Sequence, residues 1–384
     1  MKVLLDATAI PADLGGVGRY VDDLVPELIN AGVNLALAVQ ERDAAHFRAK
    51  APRAHLFPVP GLLTNRGARM AWEQTGLPAL IGRIRPDLLH SPHYTFPALH
   101  RVPVVVTLHD ATFFTHPGAH SRLKRRFFTA AIRRAVRRAD ALVVPSAATR
   151  DETLRFVDGD PARFHIAHHG VDTSVFHPVD DAERERVAAS LGLAGRRYIG
   201  FLGTLKPWHG LPLLVEAFAR LHRRFPQTRL LVVGDGPGRT DMESSLTALG
   251  LLQHCRFTGA VQAHEVPGLL AQMDIATAPY PAQDNFYFSP LKIYEYLAAE
   301  LPVVTTRVGH LATVVLQDVD GLLVPPGDPD AFADALATLV QDPALRLSMG
   351  RRGRQRIVAE HSWDAVTARI LAMADAAMPD SPVI

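Results

Sequence analysis

The segment Phe286–Thr305, FYFSPLKIYEYLAAELPVVT, combines a polar loop, a short helix and a buried strand in a pattern suited to holding an anion. The helix is predicted over Pro290–Ala299. The first turn of a helix carries backbone N–H groups with no partner inside the helix, and these groups bind phosphate. Because Pro290 has no N–H, the donors begin at Leu291 and Lys292. We therefore predict a phosphate site at this junction.

The carboxylate of Glu295 belongs to the same site in this interpretation. Glu295 follows Leu291 by one turn on the i, i+4 face of the predicted helix, so it would reach hydroxyl groups beside a bound phosphate. The plain alternative is a surface helix with a solvated glutamate.

Four other loops follow predicted strands and carry residue types that hold phosphates or sugars. They are LGGVGRY (14–20), His109-Asp110, TLKPWHGLP (204–212) and GDGPGR (234–239). Ligands of open parallel sheets bind beyond the carboxyl ends of the strands, so chemistry is expected in these loops. The GDGPGR loop lacks the full GxGxxG spacing, which disfavours dinucleotide binding.

The other three loops each have a chemical and a structural interpretation. Gly16 allows close approach of the backbone to a ligand, or belongs to a flexible turn. His109 is a hydrogen-bond or proton-transfer group facing a cleft, or a histidine satisfied by the backbone. Lys206 and His209 place positive charge against a diphosphate before a helix, or are ordinary exposed side chains.

The elements that must position these residues come from two successive alternations of short apolar runs and helical patterns. The predicted strands are Val3–Leu5, Leu35–Val39, Leu88–His90, Val104–Leu108 and Ala141–Pro145, then Tyr198–Gly203, Arg229–Val233, Arg256–Thr258, Ile275–Pro279, Val303–Thr306 and Gly321–Val324. Strands separated by helices, such as Arg19–Ala31 and Leu211–Arg224, pair in parallel. The prediction is an α/β protein with two Rossmann-like domains facing a central cleft, over residues 1–180 and 181–362. Residues 363–384 are predicted to form a helix that caps one of the two domains, and a return to the first domain is one of the two alternatives.

Length and composition agree with two soluble globular domains. The chain has 384 residues, which exceeds the usual size of a single core, and its 48% hydrophobic and 21% charged content is ordinary. A single cysteine, Cys255, excludes an internal disulfide. The apolar run at the N-terminus breaks at Asp6, too early for a signal peptide, and no run of about 18 apolar residues occurs. We expect a cytoplasmic protein.

The order of these motifs resembles that of the retaining GT-B glycosyltransferases of family 4. The motifs that carry the resemblance are GGVGRY, HD after a strand, GTLKPWHG, GDGPGR, FTGAVQAHEVPGLLAQMDIATAPY and SPLKIYEYLAAELPVV, which together span nearly the whole chain. The resemblance implies the GT-B fold and hexosyl transfer from a nucleotide-diphosphate sugar to a hydroxyl acceptor, whether glycan, lipid-linked or small molecule. It also implies donor binding mainly by the second domain and acceptor binding mainly by the first.

Residue roles follow from the resemblance for the segment around Glu295. Glu295 matches the second glutamate of the family motif E-x7-E, which holds the nucleotide ribose. Tyr287 stands where the first glutamate is expected, so a carboxylate near the donor sugar is replaced. Tyr287, Ser289 and the N–H groups of Leu291 and Lys292 complete the implied donor contacts of this segment.

The remaining implied contacts come from other loops. Lys206 lies in the diphosphate-binding loop, where Thr204 occupies the family's arginine position and His209 its lysine position, so Lys206 is the substitute cation. His109 matches the strand-end histidine near the transferred sugar, and Gly16 the glycine loop over the cleft. Gly259 to Val261 would lie near the base.

No metal or cofactor is expected. Positive side chains replace a divalent cation beside a leaving diphosphate, and we find no DxD carboxylate pair placed for a metal. His90, His93, His116 and His120 share no helix at i, i+4 spacing, and no cysteine joins them, which disfavours a zinc site.

The segment Ser121–Asp140 contains eight Lys/Arg residues on a helical pattern. Its apolar side is predicted to include Leu123, Phe127, Ala131 and Ala135. Such a basic amphipathic helix binds an anionic membrane, here the inner face, or an acidic acceptor, unless it is simply a solvated surface helix. Nucleic acid is not an expected partner, because no recognised module and no interleaved aromatic residues are present.

Two other functions remain open from the sequence. A GT-B nucleotide-sugar epimerase or phosphorylase-like enzyme would share the fold and the phosphate loops. A non-catalytic sugar-nucleotide-binding protein is the second alternative, because Tyr287 replaces a family carboxylate.

Overall fold

A computed structural model describes residues 1–12, 15–193, 197–282 and 291–377. The chain forms two compact units, one of Met1–Gly170 together with the segment from Trp363, and one of Val171–Ser362. The first unit thus ends at Gly170, whereas the boundary inferred from the sequence lies at residue 180.

The first unit is built on a seven-stranded parallel sheet with the order β3-β2-β1-β4-β5-β6-β7. Its elements in chain order are β1 (Lys2–Asp6), α1 (Gly15–Asn30), β2 (Asn34–Gln40), α2 (Ala44–Lys50), β3 (His55–Val59), α3 (Arg66–Ile84), β4 (Leu88–Ser91), β5 (Val104–Thr107), α4 (Thr112–Thr115), α5 (Arg122–Arg138), β6 (Ala141–Val144), α6 (Ala147–Phe156) and β7 (Phe164–Ile166).

The second unit is built on a six-stranded parallel sheet with the order β10-β9-β8-β11-β12-β13. Its elements in chain order are α7 (Asp181–Leu191), β8 (Arg197–Leu202), α8 (Leu211–Arg224), β9 (Thr228–Val233), α9 (Arg239–Ala248), β10 (Cys255–Phe257), α10 (Val266–Leu270), β11 (Ile275–Ala278), α11 (Leu291–Ala298), β12 (Val303–Thr306), α12 (Leu311–Val314), β13 (Gly321–Val324), α13 (Pro329–Gln341) and α14 (Pro343–His361).

The last helix of the described chain, α15 (Trp363–Ala377), belongs to the first unit. Its buried residues Trp363, Val366 and Ile370 join the apolar core that α1 forms with the sheet. The chain therefore returns to its first unit after completing the second.

The prediction of two parallel α/β blocks is confirmed, and the two strands it omits are both edge strands. Strand β3 is half-exposed and contains Pro58, and β7 has only three residues. Edge strands need neither a continuous apolar run nor every N–H, so they lack the signal that marks the central strands.

One local prediction about helices is wrong, and another, the apolar side of α5, is confirmed for Ala135 and wrong for Leu123. Helix α1 begins at Gly15 rather than Arg19, so Gly16 lies in its first turn instead of a preceding loop. In α5 the buried residues are Ile132, Ala135 and Val136, whereas Leu123 is 81% exposed. The first turns of α5 thus extend beyond the core that its second half covers. No helix in the described ranges is long and apolar enough to cross a membrane.

Candidate functional site

Each sheet has one point where the strand order reverses, between β1 and β4 in the first unit and between β8 and β11 in the second. Loops leave such neighbouring strands in opposite directions and open a crevice at the carboxyl edge, which is where open α/β sheets bind ligands.

In the second unit, the loop after β8 is held by the glycine-rich loop after β9. Leu205 is fully buried; its N–H donates to the carbonyl of Asp235 (2.9 Å) and its carbonyl accepts from Gly238 N–H (2.8 Å). Gly236 has φ +155°, and a Cβ there would lie 2.7 Å from the Leu205 nitrogen. The glycines of GDGPGR therefore permit close packing of two loops, which places Thr204 at the surface and Lys206 half-buried beside it.

The predicted cations of this loop differ in their environment. The Lys206 Nζ lies 4.9 Å from the ring centroid of Trp208, a residue that is 50% exposed. His209 Nδ1–H donates to the Thr204 carbonyl, since a carbonyl only accepts. Burial and the charge of Lys292 lower the pKa of His209 to about 4, although the Thr204 carbonyl opposes the shift. At neutral pH His209 is thus a neutral hydrogen-bonding group.

Helix α11 is anchored to the reversal point of the sheet by Tyr296. The buried Tyr296 hydroxyl accepts from Leu202 N–H (2.6 Å) and donates to the Thr277 carbonyl (3.4 Å), so it contacts both β8 and β11. Leu291 is 38% exposed and Glu295 is half-buried. The helix therefore begins at the same edge of the sheet as the loop that carries Lys206.

The Lys292 side chain is the element of this site that the sequence interpretation missed. The sequence predicts a phosphate contact only for the backbone N–H of Lys292. In the structure its Nζ is buried and lies against Gly203. Lys292 precedes Tyr296 by four residues and shares its helical face. The sequence signal for its burial is the i, i+4 spacing from Tyr296, because a lysine on the same helical face as a buried tyrosine also points toward the sheet.

The other residues predicted to contact the donor are those of the segment before α11 and those that follow β10. Tyr287 and Ser289 lie outside the described residues. Gly259 has φ +74° and pairs with Gly234 in an isolated bridge next to the loop after β9. Val261 is half-buried and packs on the core of the second unit. Gly259 and Val261 are thus on the β9–β10 side of the sheet.

In the first unit, His109 follows β5 and lies close to the helix of the glycine motif. Its Nε2–H donates to the Pro92 carbonyl (2.8 Å), which leaves Nδ1 as the acceptor of the neutral ring. The Tyr20 ring packs edge-on at 5.1 Å and the His169 ring stacks at 5.9 Å. Burial lowers the pKa of His109, although Pro92 and Asp110 oppose the shift. Gly16 has open space where a Cβ would lie.

A cluster of charged residues lies beside the reversal point of the first sheet. Asp6 Oδ2 and His93 Nε2 are 3.2 Å apart, and Glu73 accepts from Arg69 (3.0 Å) and Thr95 (2.6 Å). Burial raises the pKa of Asp6, but His93 and Arg69 outweigh it and lower the pKa to about 2.

Asp6, Glu73 and His93 have ligand atoms within 4.8 Å of one another, a spacing that would suit a metal ion. In this structure the charge of Arg69 and the hydrogen bonds of Thr8 and Thr95 already satisfy the two carboxylates. The three residues come from β1, α3 and the loop after β4, and no sequence spacing brings them together. Glu73 also lines a cavity of about 220 Å³ between α3 and α5, with Arg134 opposite.

Comparison with known proteins identifies the family. A family model described as Glycosyltransferase Family 4 matches residues 14–175, and one described as Glycosyl transferases group 1 matches residues 196–342. The chain belongs to the family 4 glycosyltransferases. The predictions of family, fold and activity class are confirmed.

Two curated relatives show the range of this family. The GDP-mannose-dependent alpha-(1-6)-phosphatidylinositol monomannoside mannosyltransferase of Mycolicibacterium smegmatis is 27% identical over 381 residues, covering 96% of this glycosyltransferase and 97% of the relative. The D-inositol 3-phosphate glycosyltransferase of Corynebacterium glutamicum is 30% identical over 252 residues, covering 64% and 59%.

Solved structures share the GT-B fold with this glycosyltransferase. Anabaena HepE in complex with UDP has a TM-score of 0.74 at 19% identity, with 98% of this chain and all of that chain covered. Sucrose-phosphate synthase from Thermosynechococcus elongatus has a TM-score of 0.72 at 22% identity, with 98% of each chain covered.

Proposed function

We propose that this glycosyltransferase binds the sugar nucleotide with its second unit and transfers the sugar with retention of configuration, without a metal ion. The observation that carries the proposal is that the Lys206 loop and the N-terminus of α11 lie at one edge of the sheet. The hydrogen bond from Leu202 N–H to Tyr296 holds them there. A cation and helix N–H groups together suit a diphosphate.

In this proposal, the leaving diphosphate is stabilised by Lys206 and by the N–H groups of Leu291 and Lys292. Negative charge develops on the leaving phosphate as the bond to the sugar breaks, so donors fixed in advance lower the barrier. Thr204 contributes its hydroxyl and His209 its neutral ring.

The rest of the nucleotide sugar is assigned to the neighbouring loops. Glu295 holds the ribose, and Gly259 and Val261 lie near the base. Tyr287 and Ser289 are assigned to the donor by the family resemblance alone. His109 of the first unit is assigned to sugar binding, and its neutral ring accepts a hydrogen bond at Nδ1.

Retention is proposed to follow a front-face route. The bond from the anomeric carbon to the phosphate oxygen breaks with its electron pair on that oxygen, while the acceptor oxygen bonds the same face of the carbon. The acceptor proton passes to the leaving phosphate. A glycosyl-enzyme adduct would contradict this route, and NMR of the first-formed product would report its anomeric configuration.

The acceptor is proposed to bind the first unit, with peripheral membrane contact through α5. In support, Leu123 is exposed among Arg122, Lys124 and Arg125 at the start of α5, and the mycobacterial relative acts by name on a phosphatidylinositol mannoside. Basic residues beside an exposed apolar side chain favour an anionic surface. Flotation with anionic liposomes should exceed flotation with neutral ones, and equal flotation would contradict membrane contact.

The test of the proposed function is a thermal-shift panel of UDP-, GDP-, ADP- and dTDP-sugars followed by a transfer assay. A donor at 100 times its Kd adds about 2.7 kcal/mol to the free energy of unfolding. Transfer should depend on an acceptor and persist in EDTA, and Lys206→Ala should lose most turnover. Loss of activity in EDTA with recovery in Mg²⁺ or Mn²⁺ would contradict the metal-free mechanism. Release of nucleotide without an acceptor would favour an epimerase or phosphorylase-like reaction.

A further inference from the structure

The ammonium group of Lys292 is buried without a hydrogen-bond acceptor in the described part of the chain. Its Nζ is inaccessible to solvent and lies near the ring faces of Phe201 (4.4 Å to the centroid) and Tyr280 (5.5 Å). Aromatic faces attract a cation but replace only part of its hydration. A buried amine without an acceptor indicates a ligand that supplies one.

The position of this group is fixed by the backbone of the diphosphate loop. A Cβ on Gly203 would lie 2.8 Å from Lys292 Nζ and 3.3 Å from Cε, so the amine occupies the space beside the glycine that a side chain there would enter. Gly203 also has φ +135°, which glycine adopts without strain. Gly203 immediately follows β8 and precedes Thr204, so the amine lies against the start of the loop proposed to hold the diphosphate.

The charged and titratable groups around Lys292 leave its charge largely uncompensated. Glu295, on the same helix, raises the pKa of the amine, but burial dominates and lowers it to about 7. His209, on the facing loop, is neutral, and its pKa is lowered by both Lys292 and Lys206. Tyr280 and Tyr296 have pKa values raised by burial and remain neutral phenols.

We propose that Lys292 supplies the buried positive charge that contacts the donor's diphosphate, and that its amine takes up a proton when the diphosphate binds. This inference rests on the proposed function and deepens it. Neither of the positions that resemble the family's arginine and lysine carries charge here, since one is Thr204 and the other the neutral His209. Lys292 restores the missing charge from α11, a different element.

The proton uptake follows from electrostatics. In the free protein near pH 8 the amine is mostly neutral. A diphosphate placed beside it favours the charged form and raises the pKa, so a proton enters from solvent with the ligand. Lys206 Nζ lies 4.9 Å from the ring centroid of the exposed Trp208, so it is a separate source of attraction for the diphosphate.

The experiment is calorimetric titration of the intact protein with UDP, GDP, ADP and dTDP from pH 7.5 to 9.5, each in two buffers of different ionisation enthalpy. The terminal phosphate titrates near pH 6 and is fully ionised in this window. We expect wild-type affinity to fall as pH rises, with net proton uptake below one per site. Lys292→Met should bind about tenfold to a hundredfold more weakly at pH 7.5, without pH dependence or proton uptake.

Three further arms make the outcome specific. Lys206→Met should weaken binding yet keep the pH dependence, and Lys50→Met, which removes a lysine paired with Asp22 in the first unit, should change neither. Circular dichroism confirms that each variant is folded. Lys292→Met with wild-type affinity and pH dependence would overturn the inference and leave the proposed function standing. Wild type that binds neither UDP, GDP, ADP nor dTDP would overturn the proposed function itself.

Discussion

The Lys292 side chain destabilises the unit in which it lies, because its amine is removed from water without a hydrogen-bond acceptor. Surface lysines such as Lys50 keep their hydration and a carboxylate partner. A residue that lowers stability and faces a ligand loop is typical of a functional site, where charge is fixed in advance for the substrate. The burial of the Lys292 amine can therefore be tested by measuring stability alone.

Lys292→Met should raise the free energy of unfolding at pH 6 by on the order of a few kcal/mol, because Met fills the same space without a charge. The native pKa is about 7, and the unfolded value is about 10.4. Between these values the unfolded wild type binds more protons than the native form, so wild-type stability rises with pH and the advantage of Met shrinks.

Urea unfolding of both proteins at pH 6, 8 and 10 measures this difference. A stability difference that does not change with pH would contradict a buried, titrating amine at position 292. Lys50→Met provides the comparison for a lysine that is not buried, and we expect its effect to stay small at every pH.

At the scale of elements, α11 positions the site because Tyr296 joins it to two strands at once. Tyr296→Phe removes the acceptor of the Leu202 N–H, and an unsatisfied buried N–H costs about 1–3 kcal/mol. We also expect weaker nucleotide binding, since Lys292 shares the helical face of Tyr296 and loses its fixed approach to Gly203. Chemical denaturation and UDP or GDP titration measure the two effects.

Thr228→Val is the matched control for that variant. Its buried hydroxyl donates to the Phe225 carbonyl (2.8 Å) at the start of β9, at the end of the strand away from the carboxyl edge. We expect it to lower stability less, because the Phe225 carbonyl still accepts from Thr228 N–H (3.0 Å), and to leave nucleotide binding unchanged. If both variants lost binding equally, α11 would have no special part in positioning the site.

The sequence predicts strands and helices well where burial produces a regular pattern of apolar residues, and poorly where the element is only partly buried. The central strands are continuous apolar runs, whereas β3 and β7 at the sheet edges are short or half-exposed. The loops that follow strands were identifiable as sites because parallel strands end at a common edge. The sequence does not identify the Lys292 side chain as part of the site. Whether this lysine faces solvent or the sheet depends on tertiary contacts with Gly203 and Phe201.

At the scale of the whole molecule, the first unit depends on the last helix of the described chain. Trp363 is 7% exposed and packs so closely on Gly170 that a Cβ there would lie 2.3 Å from its ring. Val366, Ile370 and Met373 are buried in the same core as α1. Folding of the first unit therefore requires residues made after the entire second unit.

Truncation after Ser362 should unfold the first unit and spare the second. Burying each large apolar side chain contributes about 1.5–3 kcal/mol, so losing several approaches the whole stability of a domain, about 5–15 kcal/mol. Hydrogen exchange should show lost protection in β1, β2 and α1 with protection retained in β8 and β9. Full protection of α1 in the truncated chain would show that the first unit folds without its returning helix.

Trp363→Ala should lower the free energy of unfolding by about 3–5 kcal/mol. Leu347→Ala, at an exposed position of α14, should lower it by under about 0.5 kcal/mol.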